Sequence, residues 1–207
     1  GIHRVKGVKQ EGQRAGNWLS KAQAEALLDA PDAATLKGKR DRALLGVLVG
    51  CGLRRAEVAA LTVEHVQLRD ARWVIVDMVG KRGRTRTVAM PSWTKALIDK
   101  WTEAAGIDGG RVFRAVNKGD KLAGESMTPQ AVYNAVARYV DALGFGNVAP
   151  HDLRRTFAKL AHKGGGALDQ IQLALGHASL TTTERYLGVE LDLANAPCDK
   201  LGLTVTL

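Results

Sequence analysis

The sequence is poor in cysteine, since Cys51 and Cys198 are the only two in 207 residues. Two isolated cysteines provide neither a metal-ligand spacing nor a disulfide framework. This excludes a disulfide-stapled secreted domain and a cysteine-based zinc site. It is typical of a protein that works in a reduced, cytoplasmic setting.

Long apolar segments are also missing. The longest apolar run covers residues 43–53, whereas a helix that spans a bilayer needs about 20 apolar residues. No signal-peptide pattern opens the chain, and its first residue is Gly1 rather than Met. We therefore expect a processed or truncated chain with no membrane contact.

Acidic residues are outnumbered, with 21 Asp and Glu against 30 Lys and Arg, which gives a net charge of +9. This balance favours an anionic partner, most commonly nucleic acid, although a merely solvated basic surface has the same composition. The basic residues form two clusters, namely Lys37, Lys39, Arg40 and Arg42, and Lys81, Arg82, Arg84 and Arg86. The last 20 residues are acidic on balance, so the body of the chain is the expected DNA face.

Periodicity and capping signals predict an α+β fold, mainly helical with a small antiparallel sheet. The predicted helices lie at about residues 21–28, 39–49, 54–61, 93–105, 128–143, 150–162, 168–175 and 179–187. Two β-prone runs, residues 73–76 and 85–90, flank the turn glycines Gly80 and Gly83, which indicates a hairpin with a basic tip.

The chain divides into three parts. Residues 1–17 are rich in glycine, glutamine and basic residues and are interpreted as an N-terminal arm or linker. Residues 18–187 form the predicted catalytic domain. In the C-terminal tail, residues 188–207, four apolar residues alternate with glycine and threonine, which is the period of a half-buried strand. That strand completes its own domain's sheet or docks on a neighbouring protomer, and both readings stay open.

Enzymatic DNA cleavage that conserves the bond energy needs a protein nucleophile, cations that stabilise the charged phosphorus centre, and an acid for the leaving hydroxyl. A tyrosine phenol, a pair of arginines and a lysine meet these needs. The chain carries such a set in order, within the segments Gly52-Leu53-Arg54-Arg55-Ala56-Glu57, Gly80-Lys81, His151-Asp152-Leu153-Arg154, Leu175-Gly176-His177 and Thr182-Thr183-Glu184-Arg185-Tyr186.

These segments resemble the signature of the tyrosine recombinase family, which includes phage integrases, Xer-type recombinases and transposon integrases. The resemblance extends over residues 18–187 and implies the catalytic-domain fold of that family. Each motif alone is weak, because a His-x-x-Arg pair on a helix is usually solvated and Tyr133 and Tyr139 show that tyrosine also serves packing. Six positions matching in order and in chemical type make chance agreement improbable.

The resemblance implies a role for each matched residue. Arg54 and Arg154 would hold the non-bridging oxygens of the scissile phosphate, and His177 would donate a further hydrogen bond to it. Glu57 would buttress Arg54, since it follows three residues later along a helix.

The remaining implied roles concern proton transfer and DNA contact. Tyr186 would form the 3′-phosphotyrosine with help from His151, and Lys81 would protonate the leaving 5′-oxygen. A hairpin that only grips phosphates would also explain Lys81. The neighbouring arginines are expected to bind the DNA backbone, namely Arg82, Arg84 and Arg86.

The resemblance implies site-specific recombination of double-stranded DNA at an inverted-repeat site, by a tetramer on DNA that is monomeric when free. It implies a nucleoid-associated protein with possible DNA-bending accessory proteins, no cofactor and no metal. The family's usual N-terminal DNA-binding domain is not expected within these residues. The alternatives are a type IB topoisomerase, a non-catalytic DNA-binding protein on the same scaffold and, less favoured, a metal-dependent tyrosine nuclease.

Overall fold

The computed structural model describes residues 17–79 and 85–188, which form α-helices and one three-stranded antiparallel sheet. The helices are α1 (Lys21–Asp29), α2 (Leu36–Cys51), α3 (Arg55–Ala60), α4 (Ser92–Ala105), α5 (Pro129–Ala142), α6 (Pro150–Lys163), α7 (Leu168–Leu175) and α8 (Leu180–Leu187). A 3-10 helix (Val63–His65) precedes the strands β1 (Val66–Arg69), β2 (Arg72–Val79) and β3 (Thr85–Ala89). The predicted class, mainly helical with a small antiparallel sheet, is confirmed.

Helix α2 is the centre of the core. Residues 43–51 are all buried, and α2 contacts α1, α3, α4, α5 and α6. A helix that is apolar on every side is stable only when it is enclosed in this way. In the described ranges, neither α2 nor any other helix is long and apolar enough to cross a membrane. The enclosure holds the end of α2, at Cys51, in a fixed place.

Helix α2 begins three residues before the predicted start at residue 39, because its first turn is capped from two sources. The Thr35 hydroxyl accepts from the Gly38 N–H at 2.9 Å. The Asp120 carboxylate accepts from the Leu36 and Lys37 N–H groups at 2.7 and 2.8 Å. These partners satisfy donors that every helix start leaves free.

The sheet has the order β1-β2-β3, and its first strand was not predicted. Strands β1 and β2 pair through Val66 opposite Ile75, and β2 and β3 pair through Ile75 opposite Val88. The turn between β1 and β2 places Asp70 and Ala71 at positive φ, 48° and 58°. Such turns normally carry Asn-Gly or Asp-Gly, so an Asp-Ala turn gives a weak sequence signal.

A second, smaller cluster of buried side chains lies beneath α6, α7 and α8. Its buried members are Ala158, Ile171, Leu175 and Leu187. Helix α8 begins at the N-cap Ser179, whose hydroxyl accepts from the Thr182 N–H. The Tyr186 ring packs against this cluster from the surface side. The last two turns of the described chain are therefore anchored to α6.

The basic cluster of residues 37–42 is divided between two sides of α2. Arg40 is buried in an ion pair with Asp41, and Arg42 pairs with exposed Asp29. Two cavities of about 330 Å³ each flank the helix. Lys37 and Arg40 line the first, whereas Lys39 and Arg42 line the second. The cluster therefore does not form one continuous cationic face.

Replacement of Gly52 by alanine tests how tightly the end of α2 is enclosed. Gly52 has φ of 61°, and a Cβ there would lie 2.5 Å from Cδ1 of Phe157. Gly106 ends α4 with φ of 63° and has nothing within 4 Å of the same position. We expect Gly106→Ala to cost about 1–2 kcal/mol of unfolding free energy from backbone strain. Gly52→Ala should cost about 1–3 kcal/mol more, from overpacking.

Equilibrium urea unfolding of both variants measures the two losses, and Gly106→Ala is the matched control because its backbone strain is the same. Equal losses in the two variants would show that the Phe157 ring moves aside at no cost in free energy. The end of α2 would then not be enclosed as tightly as described.

Candidate active site

Arg54 is positioned by the turn that joins α2 to α3. Gly52 ends α2 in the left-handed region, and Arg54 is the N-cap of α3. The Arg54 N–H donates to Oε2 of Glu57 at 2.7 Å, and its Nη1 donates to Oε1 of the same carboxylate at 2.8 Å. Glu57 thus holds both the backbone and the guanidinium of Arg54. The Arg54 side chain remains 37% exposed, so it faces the surface.

Arg86 lies in the interior, which differs from the predicted contact with the DNA backbone. Its Nη1 and Nη2 donate to the two oxygens of Glu57 at 2.9 and 2.8 Å, and its Nε donates to the Ala174 carbonyl at 2.9 Å. Only 9% of the side chain is exposed. The physical reason is that the Glu57 carboxylate is buried, and a buried charge is destabilising unless hydrogen-bond donors compensate it. Arg86 supplies two such donors.

The Glu57 carboxylate accepts four hydrogen bonds, two from Arg54 and two from Arg86. Burial would raise the pKa of Glu57, but the hydrogen bonds from Arg86 and Arg54 outweigh it and lower the pKa below its ordinary value. Glu57 is therefore ionised wherever the protein is folded near neutral pH, and it serves as a fixed anionic partner for two cations.

Helix α6 carries His151 and Arg154 one turn apart. Asp152 caps the start of the helix, since its Oδ2 accepts from the Ala149 N–H at 3.0 Å. His151 is exposed, whereas Arg154 is only 1% exposed. The Nη1 and Nη2 groups of Arg154 donate to the carbonyls of Gly52 and Leu175. Arg154 thereby joins α6 to the ends of α2 and α7.

Arg154 keeps its charge despite this burial. Desolvation, followed by repulsion from Arg54, lowers the pKa of Arg154 to about 10. The guanidinium has five N–H groups, of which the two carbonyls use only part. A buried cation with donors to spare is suited to an anionic ligand.

His177 follows the end of α7, where Gly176 adopts a left-handed conformation at φ of 61°. Nδ1 of His177 lies 3.0 Å from Oγ1 of Thr183, whose side chain is fully buried on α8. Burial, with repulsion from Arg154 and Arg54, lowers the pKa of His177 to about 4. The imidazole is therefore neutral near pH 7, and Thr183 fixes its orientation.

Tyr186 lies between the two histidines. The centre of its ring is 5.8 Å from that of His151 and 5.3 Å from that of His177, and both contacts are edge-to-face at 79°. The guanidinium of Arg155 stands 5.0 Å above the same ring. The phenol hydroxyl donates to the His151 carbonyl at 3.4 Å, a long contact that leaves the oxygen weakly held.

The protonation states in the site follow from burial and from the arginines. Burial raises the pKa of Tyr186 above its ordinary value, against the opposing effect of Arg154 and Arg155. Partial loss of hydration, with repulsion from Arg155 and Arg154, lowers the pKa of His151. The site thus combines a neutral phenol, unprotonated imidazoles and charged guanidinium groups near neutral pH. Such a set pairs a nucleophile with proton acceptors and anion-binding groups.

Five of the six predicted catalytic residues converge on this site, namely Arg54, His151, Arg154, His177 and Tyr186. Lys81, Arg82 and Arg84 lie outside the described residues, as do residues 189–207 of the C-terminal tail. Within residues 17–79 and 85–188, no three or more His, Cys, Asp and Glu side chains are grouped to hold a metal ion. None of these five residues lines either of the two cavities beside α2.

Sequence reasoning missed three supporting residues. Asp152 was read only as part of a motif, although a carboxylate three residues after a helix start is a recognisable cap. Thr183 carries the weaker signal of lying three residues before Tyr186 on one helix. The interior role of Arg86 has no sequence signal, because one basic residue in a basic run resembles the others.

A tyrosine flanked by imidazoles and by a pair of arginines combines a side chain of the nucleophilic type with proton acceptors and groups that bind anionic oxygens. The profile of the Phage integrase family matches residues 17–191. The chain therefore belongs to the phage integrase family.

Relatives of known annotation agree with this assignment. The chain is 35% identical over 187 residues to tyrosine recombinase XerD of Pseudomonas putida, which covers 88% of this chain and 60% of that protein. It is 34% identical over 196 residues to tyrosine recombinase XerC of Pelobacter propionicus, with 91% and 60% covered. The chain thus spans about 60% of the length of these curated relatives.

Solved structures share the fold. The XerA recombinase superposes with a TM-score of 0.68 at 25% identity, covering 84% of this chain and 61% of that one. The XerH site-specific recombinase, bound to its difH substrate before cleavage, also gives 0.68 at 25% identity, with 86% and 52% covered. The Tn1549 transposon integrase gives 0.67 at 16% identity and supports the fold alone.

The low pKa of His177 predicts a pH-dependent stability. The unfolded chain takes up a proton on this histidine near pH 6.5, whereas the folded chain takes it up only near pH 4. Stability that is fully present above pH 6.5 should therefore be lost progressively as the pH falls toward 4. We expect His177→Asn to lose less stability than the parent chain over that window, as measured by thermal unfolding.

Titration of the His177 ring protons by NMR measures the pKa directly, and His162→Asn is the matched control for removing an imidazole outside the site. A His177 midpoint at or above 6.5 in the folded chain would contradict the described burial of the imidazole and its repulsion by Arg154 and Arg54.

Proposed function

We propose that the chain is the catalytic part of a site-specific DNA recombinase that cleaves and rejoins strands through a 3′-phosphotyrosine on Tyr186. The observation that carries the proposal is the position of the Tyr186 ring between His151 and His177, 5.8 and 5.3 Å away, beside the charged Arg154. Tyr139, on α5, instead donates a hydrogen bond to the buried Asp41 at 2.9 Å.

The scissile phosphate is held by Arg54 and Arg154. Arg54 presents a guanidinium that is 37% exposed, and Arg154 contributes a buried charge whose donors act at low dielectric. His177 adds a neutral donor: when the Thr183 hydroxyl donates to Nδ1, the ring proton resides on Nε2, which then donates to a phosphate oxygen. Together they stabilise the charge that develops on the phosphorus centre.

The nucleophile starts as a neutral phenol. His151 is unprotonated near neutral pH, because its pKa is lowered by partial burial and by Arg155 and Arg154. It therefore assists transfer of the Tyr186 proton as the phenol oxygen attacks phosphorus. The new bond joins the tyrosine oxygen to the 3′-phosphate, and the bond from phosphorus to the 5′-oxygen breaks.

The leaving 5′-oxygen receives a proton from Lys81, which we propose as the general acid. Arg82 and Arg84 remain permanently charged and are poor proton donors, so they are assigned to the DNA backbone. Rejoining reverses the step with a 5′-hydroxyl of the partner strand. The number of phosphodiester-type bonds is conserved, so no nucleotide cofactor is required.

The partner is double-stranded DNA. The XerH structure is a complex with its difH substrate, and a Tn1549 integrase structure is a complex with circular intermediate DNA. We propose for this chain an inverted-repeat site bound by a tetramer, with residues 18–187 as the catalytic domain and 1–17 as an arm. Residues 188–207 are a tail that either completes the sheet of its own domain or docks on a neighbouring protomer. DNA-bending accessory proteins and a location at the nucleoid accord with such a partner.

Replacement of Tyr186 by phenylalanine tests the proposal. The hydroxyl is the nucleophile while phosphate contacts dominate DNA affinity, so Tyr186→Phe should abolish the covalent adduct and leave DNA binding nearly unchanged. The substrate is a nicked suicide duplex selected from a randomised library by covalent capture on the parent chain. Denaturing gels measure the adduct and fluorescence anisotropy measures binding.

Tyr133→Phe is the matched control, because Tyr133 is an exposed tyrosine outside the histidine pair. An adduct that persists in Tyr186→Phe but disappears in Tyr133→Phe would assign the nucleophile elsewhere. Relaxation of supercoiled plasmid by dilute monomer, without strand exchange, would point to a topoisomerase.

The role of Lys81 has its own test. Lys81→Ala should cleave normal DNA slowly but regain cleavage on a duplex with sulfur at the 5′-bridging position. The reason is that a thiolate leaves without an acid. Single-turnover rates on the two substrates measure the rescue, and Arg84→Ala is the control that should respond equally to both. If the sulfur-containing duplex does not restore cleavage by Lys81→Ala, Lys81 is a phosphate contact and not the general acid.

A further inference from the structure

The ion pair between Arg54 and Glu57 weakens the attraction that Arg54 is proposed to exert on the scissile phosphate. The pair is close, at 2.8 Å, and the Glu57 side chain is only 7% exposed. Taken alone it is neutral, so the carboxylate would offset the charge that Arg54 offers to a phosphate. A carboxylate in low dielectric acts strongly at such a distance.

Arg86 supplies the missing positive charge. Its guanidinium meets Glu57 through two hydrogen bonds of 2.9 and 2.8 Å, and both side chains are more than nine-tenths buried. The group of Arg54, Glu57 and Arg86 then carries a net charge of +1. The planar fork of arginine suits this geometry, because it saturates a carboxylate bidentately.

The same side chain also contacts the segment that precedes His177. Nε of Arg86 donates to the Ala174 carbonyl at 2.9 Å, and a Cβ at Gly176 would lie 3.1 Å from Cδ of Arg86. Between these two residues, Leu175 offers the carbonyl that receives Arg154. Arg86, on β3, therefore contacts Glu57, which holds Arg54, and the segment of residues 174–177, which holds Arg154 and carries His177.

We propose that Arg86 is a positioning residue for DNA cleavage: it compensates the charge of Glu57, so that Arg54 stays available to the scissile phosphate, and it fixes the segment of residues 174–177. The inference rests on the proposed function. Arg86 touches no reacting atom. It acts through Glu57 and through the end of α7.

A double-mutant comparison separates charge compensation from simple packing. In Arg86→Gln the Glu57 carboxylate is left with Arg54 as its only charged partner among the residues described here. Adduct formation at saturating DNA should then slow about 10- to 100-fold, the scale of losing a supporting partner of a site group. In Glu57→Gln/Arg86→Gln the uncompensated charge is gone, so the rate should recover at least tenfold relative to Arg86→Gln.

Two further variants complete the series. Arg86→Lys keeps the charge without the fork, so it should fall between the parent chain and Arg86→Gln. Arg69→Gln removes an exposed arginine of the same sheet and should leave the rate unchanged. A packing role alone would make the double variant no faster than Arg86→Gln. That result would overturn charge compensation.

A measurement without DNA keeps the inference independent of the recombinase assignment. Carbon-13 NMR titration of Glu57 should give a higher pKa in Arg86→Lys and Arg86→Gln than in the parent chain, because Arg86 is the strongest influence that lowers it. An unchanged Glu57 pKa in both variants contradicts the inference. A parent chain that forms no adduct contradicts the proposed function, while the titration still decides the role of Arg86. If Arg86→Gln does not fold, Arg86→Lys carries the titration, and the adduct-forming rates of Arg86→Lys and of the double variant are compared with that of the parent chain.

Discussion

The site depends on one buried guanidinium, that of Arg154. Its side chain is 1% exposed and donates to the carbonyls of Gly52 and Leu175, which end two different helices. Moving either carbonyl away would remove one of the two hydrogen-bond partners of this buried cation, which is costly. The turn that presents Arg54 and the turn that presents His177 are therefore held relative to α6. In this way the helix core determines the spacing of groups that the sequence separates by more than a hundred positions.

The electrostatic state of the site follows from the same burial. Several guanidinium groups share this region with two carboxylates: Glu57, which pairs with Arg54 and Arg86, and Asp152, which pairs with Arg155. Burial, together with this positive charge, lowers the pKa of His177 to about 4. The same positive charge opposes the burial that raises the pKa of Tyr186. A bound phosphate would relieve the mutual repulsion of the cations. The cationic side chains of the site are thus preorganised to bind an anion.

The sequence predicted the candidate catalytic residues better than the residues that hold them in position. The order of the motifs and their resemblance to the tyrosine recombinase signature identified the groups that converge around Tyr186. The small sheet was predicted from two β-prone runs. The start of α2 was missed because Asp120, 84 positions from Leu36, caps it, and a cap from so far away leaves no local signal. Strand β1 was missed because its turn uses Asp70-Ala71. Arg86 was placed on DNA because its partner Glu57 lies 29 positions away, where only the fold brings them together.

The central claim is that Tyr186 carries the DNA through a 3′-phosphate. Its most direct test is mass spectrometry of the trapped adduct after nuclease trimming and proteolysis. The peptide that follows Arg185, residues 186–200, contains Tyr186 as its only tyrosine, so its mass assigns the linkage without ambiguity. The account predicts a nucleotide joined through its 3′-phosphate on this peptide, with a free 5′-hydroxyl on the released strand. A nucleotide on a peptide with Tyr133 or Tyr139, or one joined through a 5′-phosphate, would contradict it.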